Sequence, residues 1–181
     1  MLKISATEFS EMTPAQLRLA ETQHLFEQFK AARNAEVNHG IFLLTTYFDA
    51  LLFCLVSIEE MISADRKQAL RSIDSFVFFK ALRNIATHHS VLSGVKGKFG
   101  RPISRIVSVG IGCTVAFSEQ FFLAPEKLEA IFDSVLQEWP GERRTIDIAR
   151  RYLSSLKQRG RDIMLVDLVE AVISEIAPHV A

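Results

Sequence analysis

Apolar residues recur at helical spacing along most of this chain. Leu17, Leu25, Phe26 and Phe29 share one face of a 3.6-residue period and predict a helix over 14–33. Its start is marked by Thr13-Pro14-Ala15-Gln16, with Thr as N-cap, Pro at the first helical position and Gln three residues after the cap. A second, strongly apolar helix is predicted over 35–62. Ser63-Ala64-Asp65-Arg66 supplies a short break, and a third helix follows over 66–91. Gly94, Gly97 and Gly100 then end the helical region. From Ile103 to Leu123, β-branched and aromatic residues flank a Gly110-Ile111-Gly112 turn, the pattern of a small β-hairpin. Three more helices are predicted over 126–138, 142–158 and 162–177, separated by Trp139-Pro140-Gly141 and by Arg159-Gly160. The fold class is mainly α: a helical bundle with a small β-hairpin insertion and additional C-terminal helices. It reads as one domain in three stretches, a bundle core over 1–92, a Gly-rich basic loop and hairpin over 93–124, and C-terminal helices over 125–181.

The third helix is apolar on two faces. At about 100° per residue, Leu70, Ile73, Val77, Ala81, Asn84 and His88 form one stripe, which turns polar toward its C-terminal end. Phe76, Phe79 and Leu82 lie opposite. Such a helix is either central in its own fold or sandwiched between its core and a partner subunit. For a chain of this size we expect the second, a homodimer packed through Phe76, Phe79 and Leu82.

Composition excludes several classes. With 181 residues, 49% apolar and 23% charged, the chain can bury a full core and is neither disordered nor fibrous. Basic and acidic side chains balance at 21 each, yet their distribution is uneven. Lys96, Lys98, Arg101 and Arg105 form one basic stretch. Arg143, Arg144, Arg150, Arg151, Lys157, Arg159 and Arg161 form another, set against only Glu142 and Asp147. Cys54 and Cys113 lie in apolar surroundings without metal-ligand spacing, which predicts two buried thiols in a reducing, cytoplasmic setting. Acids in the first residues disfavour a secretion signal. Ile41 to Ile58 carries a single charge, Asp49; an acid near mid-span opposes membrane insertion, so a buried bundle helix is expected and no membrane contact.

The candidate chemistry lies in Lys80-Ala-Leu-Arg83-Asn84-Ile-Ala-Thr-His88-His89-Ser90. This run resembles the motif of the HEPN superfamily, helical domains named for higher eukaryotes and prokaryotes nucleotide-binding. That motif is an Arg, often followed by a polar residue such as Asn, and a His four to six residues on. Arg83, Asn84 and His88 match it, late in a helix that follows an apolar one, and the resemblance covers about residues 14–92. It implies a metal-independent endoribonuclease, with a toxin or phage-defence role, a possible cognate antitoxin, and RNA cleaved in a composite cleft between two subunits. Some members carry a Tyr two residues after the motif His as a target of inactivating nucleotide transfer; here Ser90 stands there.

The residue types suit that chemistry on their own terms. His88 can exchange protons near neutral pH. Arg83 offers a permanently charged fork of donors for phosphate oxygens. Asn84 lies one turn before His88 and can orient the imidazole or the phosphate. The same Arg and His near a helix C-terminus would also serve simply to satisfy carbonyls and the helix dipole. His88-His89 is not a metal pair, since adjacent helical residues diverge by about 100° and no carboxylate cluster accompanies them; no metal and no cofactor are expected. His89 and Asp49 are supporting candidates. If the second and third helices form an antiparallel hairpin centred near residue 64, Arg83 is level with Thr45 and within reach of Asp49, whose burial would call for such a pair. Glu59 and Glu60 fall at the far end and are expected to be solvated. Lys96, Lys98, Arg101 and Arg105 are the expected RNA-backbone contacts. Two other readings stand beside the nuclease: a non-catalytic helical module binding a nucleotide, RNA or protein, and a DNA-binding regulator using the C-terminal helices.

Overall fold

The structure, a computed structural model, describes residues 6–32, 37–88, 125–159 and 163–180, with four two-residue strands between 100 and 123. The helices are α1 (Ala6–Glu11), α2 (Pro14–Ala32), α3 (Val37–Ser57), α4 (Ala64–Arg71), α5 (Asp74–His88), α6 (Pro125–Glu138), α7 (Arg143–Gln158) and α8 (Leu165–Ile176). Single 3₁₀ turns follow α3 (Ile58–Met61), α6 (Pro140–Glu142) and α8 (Ala177–His179). The described part of the chain is mainly α, as the sequence predicts. No helix among the described residues is long and apolar enough to cross a membrane.

The α2 start forms as its sequence requires. Gln16 N–H donates to Thr13 Oγ1 at 3.2 Å, and Thr13 N–H donates to Gln16 Oε1 at 2.8 Å. Two donors that a helix end leaves open are thereby satisfied reciprocally. From there α2 runs back along α3, with Phe29 against Phe48 at 5.7 Å between ring centroids.

The predicted third helix is two helices. Ser72 ends α4: its N–H donates to Ala69 O at 3.1 Å, the next N–H, that of Ile73, donates to Leu70 O at 3.0 Å, and the Ser72 hydroxyl donates to Ala69 O at 2.6 Å. A serine hydroxyl that takes up a backbone carbonyl competes with helix continuation. The chain restarts at Asp74 as α5.

The two apolar faces of α5 are both used within the chain. One side packs on α3, another on α7, and α8 closes a third. Phe76, Phe78 and Phe79 are completely buried, as are Ala81 and, nearly so, Leu82. Phe78 meets Phe79 edge-on at 5.8 Å and Tyr152 of α7 at 5.3 Å. This corrects the expectation that Phe76, Phe79 and Leu82 face a partner subunit; α5 is the central helix of its own fold.

The C-terminal helices complete the core. On α7, Ile146, Ala149, Leu153 and Leu156 are buried, while Leu165, Leu168, Val169, Val172, Ile173 and Ile176 of α8 face inward. Between α6 and α7, Arg150 pairs with Asp133 and, at 3.4 Å, with Glu129, and Lys157 lies 3.7 Å from Glu126. Cys54 is half-buried, with Arg18 Nη1 3.8 Å from its sulfur, a correction to the buried thiol expected. The strands pair antiparallel, Gly100–Arg101 (β1) with Phe122–Leu123 (β4) and Ile106–Val107 (β2) with Thr114–Val115 (β3). Apart from these strands, the segment expected to form the hairpin lies outside the described residues, Cys113 included.

Candidate functional site

Arg83 and Asn84 stand three and four residues past Lys80 on α5, where the helix emerges from the core. Both are half-buried. They line a cleft of about 750 Å³ whose other walls come from the 3₁₀ turn after α3, from α4, and from the end of α6 with its Trp139-Pro140-Gly141-Glu142 turn. Arg83 Nη1 donates to Asn84 Oδ1 at 3.1 Å, and the guanidinium carbon lies 5.6 Å from the centre of the Phe53 ring. Asn84 Nδ2 in turn donates to Glu142 Oε2 at 2.9 Å. The amide therefore links the guanidinium on one side to a carboxylate on the other.

Glu59 is the second anchor of the cleft. It is only 5% exposed. Arg71 of α4 donates to one carboxylate oxygen, and Lys80 of α5 to the other at 2.6 Å. Burial pushes its carboxyl up, but the hydrogen bonds from Lys80 and Arg71 outweigh that and hold it below the usual glutamate range. Glu59 is thus an ionised, buried carboxylate at neutral pH. The expectation that it is solvated is corrected; Glu60, which also lines the cleft, is exposed as expected.

Asp49 stands apart. It does not line the cleft, and no ion pair joins it to Arg83 among the described residues. Its Oδ1 is buried without a hydrogen-bond partner, and burial raises its carboxyl to about 6. Asp49 is one turn from Phe53 as well as from Thr45, so the register alone does not separate the pair; the guanidinium is turned instead to the Asn84 amide and the Phe53 ring. The 3₁₀ turn and α4 intervene between α3 and α5, so Arg83 lies over Phe53, about two helical turns beyond Thr45.

The remaining sequence candidates are placed only in part. His88 is the last residue of α5, one turn beyond Asn84. His89, Lys96, Lys98 and Arg105 lie outside the described residues, and Arg101 is placed as the second residue of β1. The residues that sequence reasoning missed are Glu59, Trp139 and Glu142. For Glu59 a signal existed: it falls four after Leu55 and seven after Leu52, both fully buried, and so on the core face of the same helical period.

No family model matches this chain, and comparison with curated proteins and with solved structures finds no match.

Proposed function

We propose that this chain is a metal-independent endoribonuclease of the HEPN type, acting in a toxin or phage-defence role as a homodimer, with a cognate antitoxin as its natural regulator. The observation that carries the reading is the placing of Arg83 and Asn84 side by side in the wall of the large cleft, at the end of the central helix. His88 would take the proton of the ribose 2′-OH. The 2′-oxygen attacks phosphorus, the 5′-oxygen leaves with a proton from a general acid, and Arg83 stabilises the charge on the phosphorane. Asn84 is assigned a positioning role, since its amide fixes the guanidinium. A second subunit would supply the acid from its own His88, meeting this one through a face other than the buried Phe76–Leu82 side of α5.

One observation favours the alternative, a non-catalytic helical module that binds a nucleotide, RNA or a protein partner. The cleft holds Glu59, Glu60, Glu138 and Glu142 as well as Lys67, Arg71, Lys80 and Arg83, and Glu142 engages Asn84 directly. Such a balance does not by itself attract a polyanion.

The two readings separate in one assay. Structured RNA incubated with the full chain in EDTA should be cut, leaving 2′,3′-cyclic phosphate ends. Arg83→Ala and His88→Ala should each slow cleavage by about a hundredfold to a thousandfold. Arg83→Lys should not restore it, because one ammonium cannot replace a forked contact to two oxygens. Binding without cleavage would instead establish the interaction module.

A further inference from the structure

A second groove adjoins the cleft on the other side of α4. It encloses about 660 Å³ between α4, α5 and the first turn of α7. Lys67, Arg71, Lys80 and Arg144 line it together with Gln68 and Thr145, and no Asp or Glu is among its described lining residues. Arg71 and Lys80 are paired with Glu59 behind the groove, so the local positive excess rests on Lys67 and Arg144, with no acid among the described residues of the groove wall itself.

The structure also explains why this end of α7 stays electropositive. Farther along the helix, Arg150 and Lys157 are taken up by Glu129, Asp133 and Glu126 of α6, while Arg151 is exposed. Arg144 and Lys67 are in no ion pair with a described residue, and Arg144 is exposed. Arg71 and Lys80 are held in place by buried Glu59, which lowers the conformational entropy lost when they meet a ligand.

We propose that this groove holds the phosphate backbone of single-stranded RNA and leads it into the Arg83 cleft; the proposal rests on the nuclease reading above for the identity of the polymer. Lys67, Arg71 and Lys80 line both spaces, so a backbone lying on them passes from one to the other. Trp139, half-buried against the core, lines the cleft wall, and its remaining exposed part is the aromatic surface a base of such a strand would meet. Lysines and arginines along a groove, followed by an aromatic platform, are what an unpaired strand needs when it is bound without base readout.

The test is a binding measurement with cleavage disabled. A fluorescein-labelled oligouridine is titrated with full-length His88→Ala protein over a range of salt concentrations. Adding Lys67→Ala and Arg144→Ala together should weaken binding about tenfold near 0.1 M salt and reduce the slope of log affinity against log salt by about 1.4. Arg151→Ala with Lys157→Ala, which removes equal charge from exposed positions elsewhere on α7, should change affinity less than about twofold. Equal losses in the two double variants, or an unchanged salt slope in the first, would overturn the groove. The outcomes remain separable from those for the chemistry. RNA bound through the groove but never cut by wild type sinks the nuclease and keeps the groove; RNA cut by wild type but bound indifferently to Lys67 and Arg144 does the reverse.

Discussion

Asp49 shows what a single misfit residue does in an apolar helix. Its buried Oδ1 has no hydrogen-bond partner, and burial raises the carboxyl to about 6. In the unfolded chain an aspartate titrates near 3.9. The folded state therefore holds the proton more tightly, and the stability gained from protonation is complete below about pH 4 and lost as pH rises through about 6. Asp49→Asn, which cannot ionise, should raise the melting temperature at pH 7.5, and the gain should fade toward pH 4. Thermal melts across that range check it; an equal gain at both ends would mean that the charge is not the cause. The sequence made the anomaly legible, an acid amid Thr45, Phe48, Leu51 and Leu52, but not its resolution. An expected partner was inferred where the fold supplies none among the described residues.

At the scale of elements, Glu59 joins three of them: the 3₁₀ turn that carries it, α4 through Arg71, and α5 through Lys80. Replacing it with Gln keeps the shape and removes the charge. Because Arg71 is largely exposed, the loss should be near that of one charge-assisted hydrogen bond, about 2 kcal/mol at pH 7. The sign follows from its lowered pKa: the stabilisation is present above the unfolded glutamate value near 4.3 and is lost as pH falls below it. Urea unfolding of Glu59→Gln and wild type should differ at pH 7 and converge as pH drops below about 4. Helix boundaries were legible where the signal was local, as at the Thr13–Gln16 capping box and the Pro125 start of α6. The break between α4 and α5 was not, because Ser72-Ile73 contains neither Gly nor Pro and the apolar period runs through it. The burial of Glu59 is legible in the period of Leu52 and Leu55, but its partners are not, because they lie 12 and 21 residues away, beyond any local pattern.

For the whole molecule, the position of α5 decides how its variants behave. Periodicity alone cannot distinguish a helix central in its own fold from one covered by a partner, since both are apolar all round. With Phe79 fully buried, Phe79→Glu should give unfolded or insoluble protein and not a folded monomer. Phe79→Ala should cost about 3–5 kcal/mol in denaturant unfolding without changing the elution volume of the folded fraction. A folded Phe79→Glu chain with a smaller apparent size would restore the interface reading. The central place of α5 also constrains how this chain can diversify. Arg83 and Asn84 ride on a helix whose every neighbour is fixed by packing, so a drift in its sequence disturbs the core before it alters the cleft. Lys67 on α4 and the exposed Pro140 and Gly141 of the turn after α6 are bound by no such double duty, and selection can exchange residues there, and so change what is admitted, while the motif helix stays as it is.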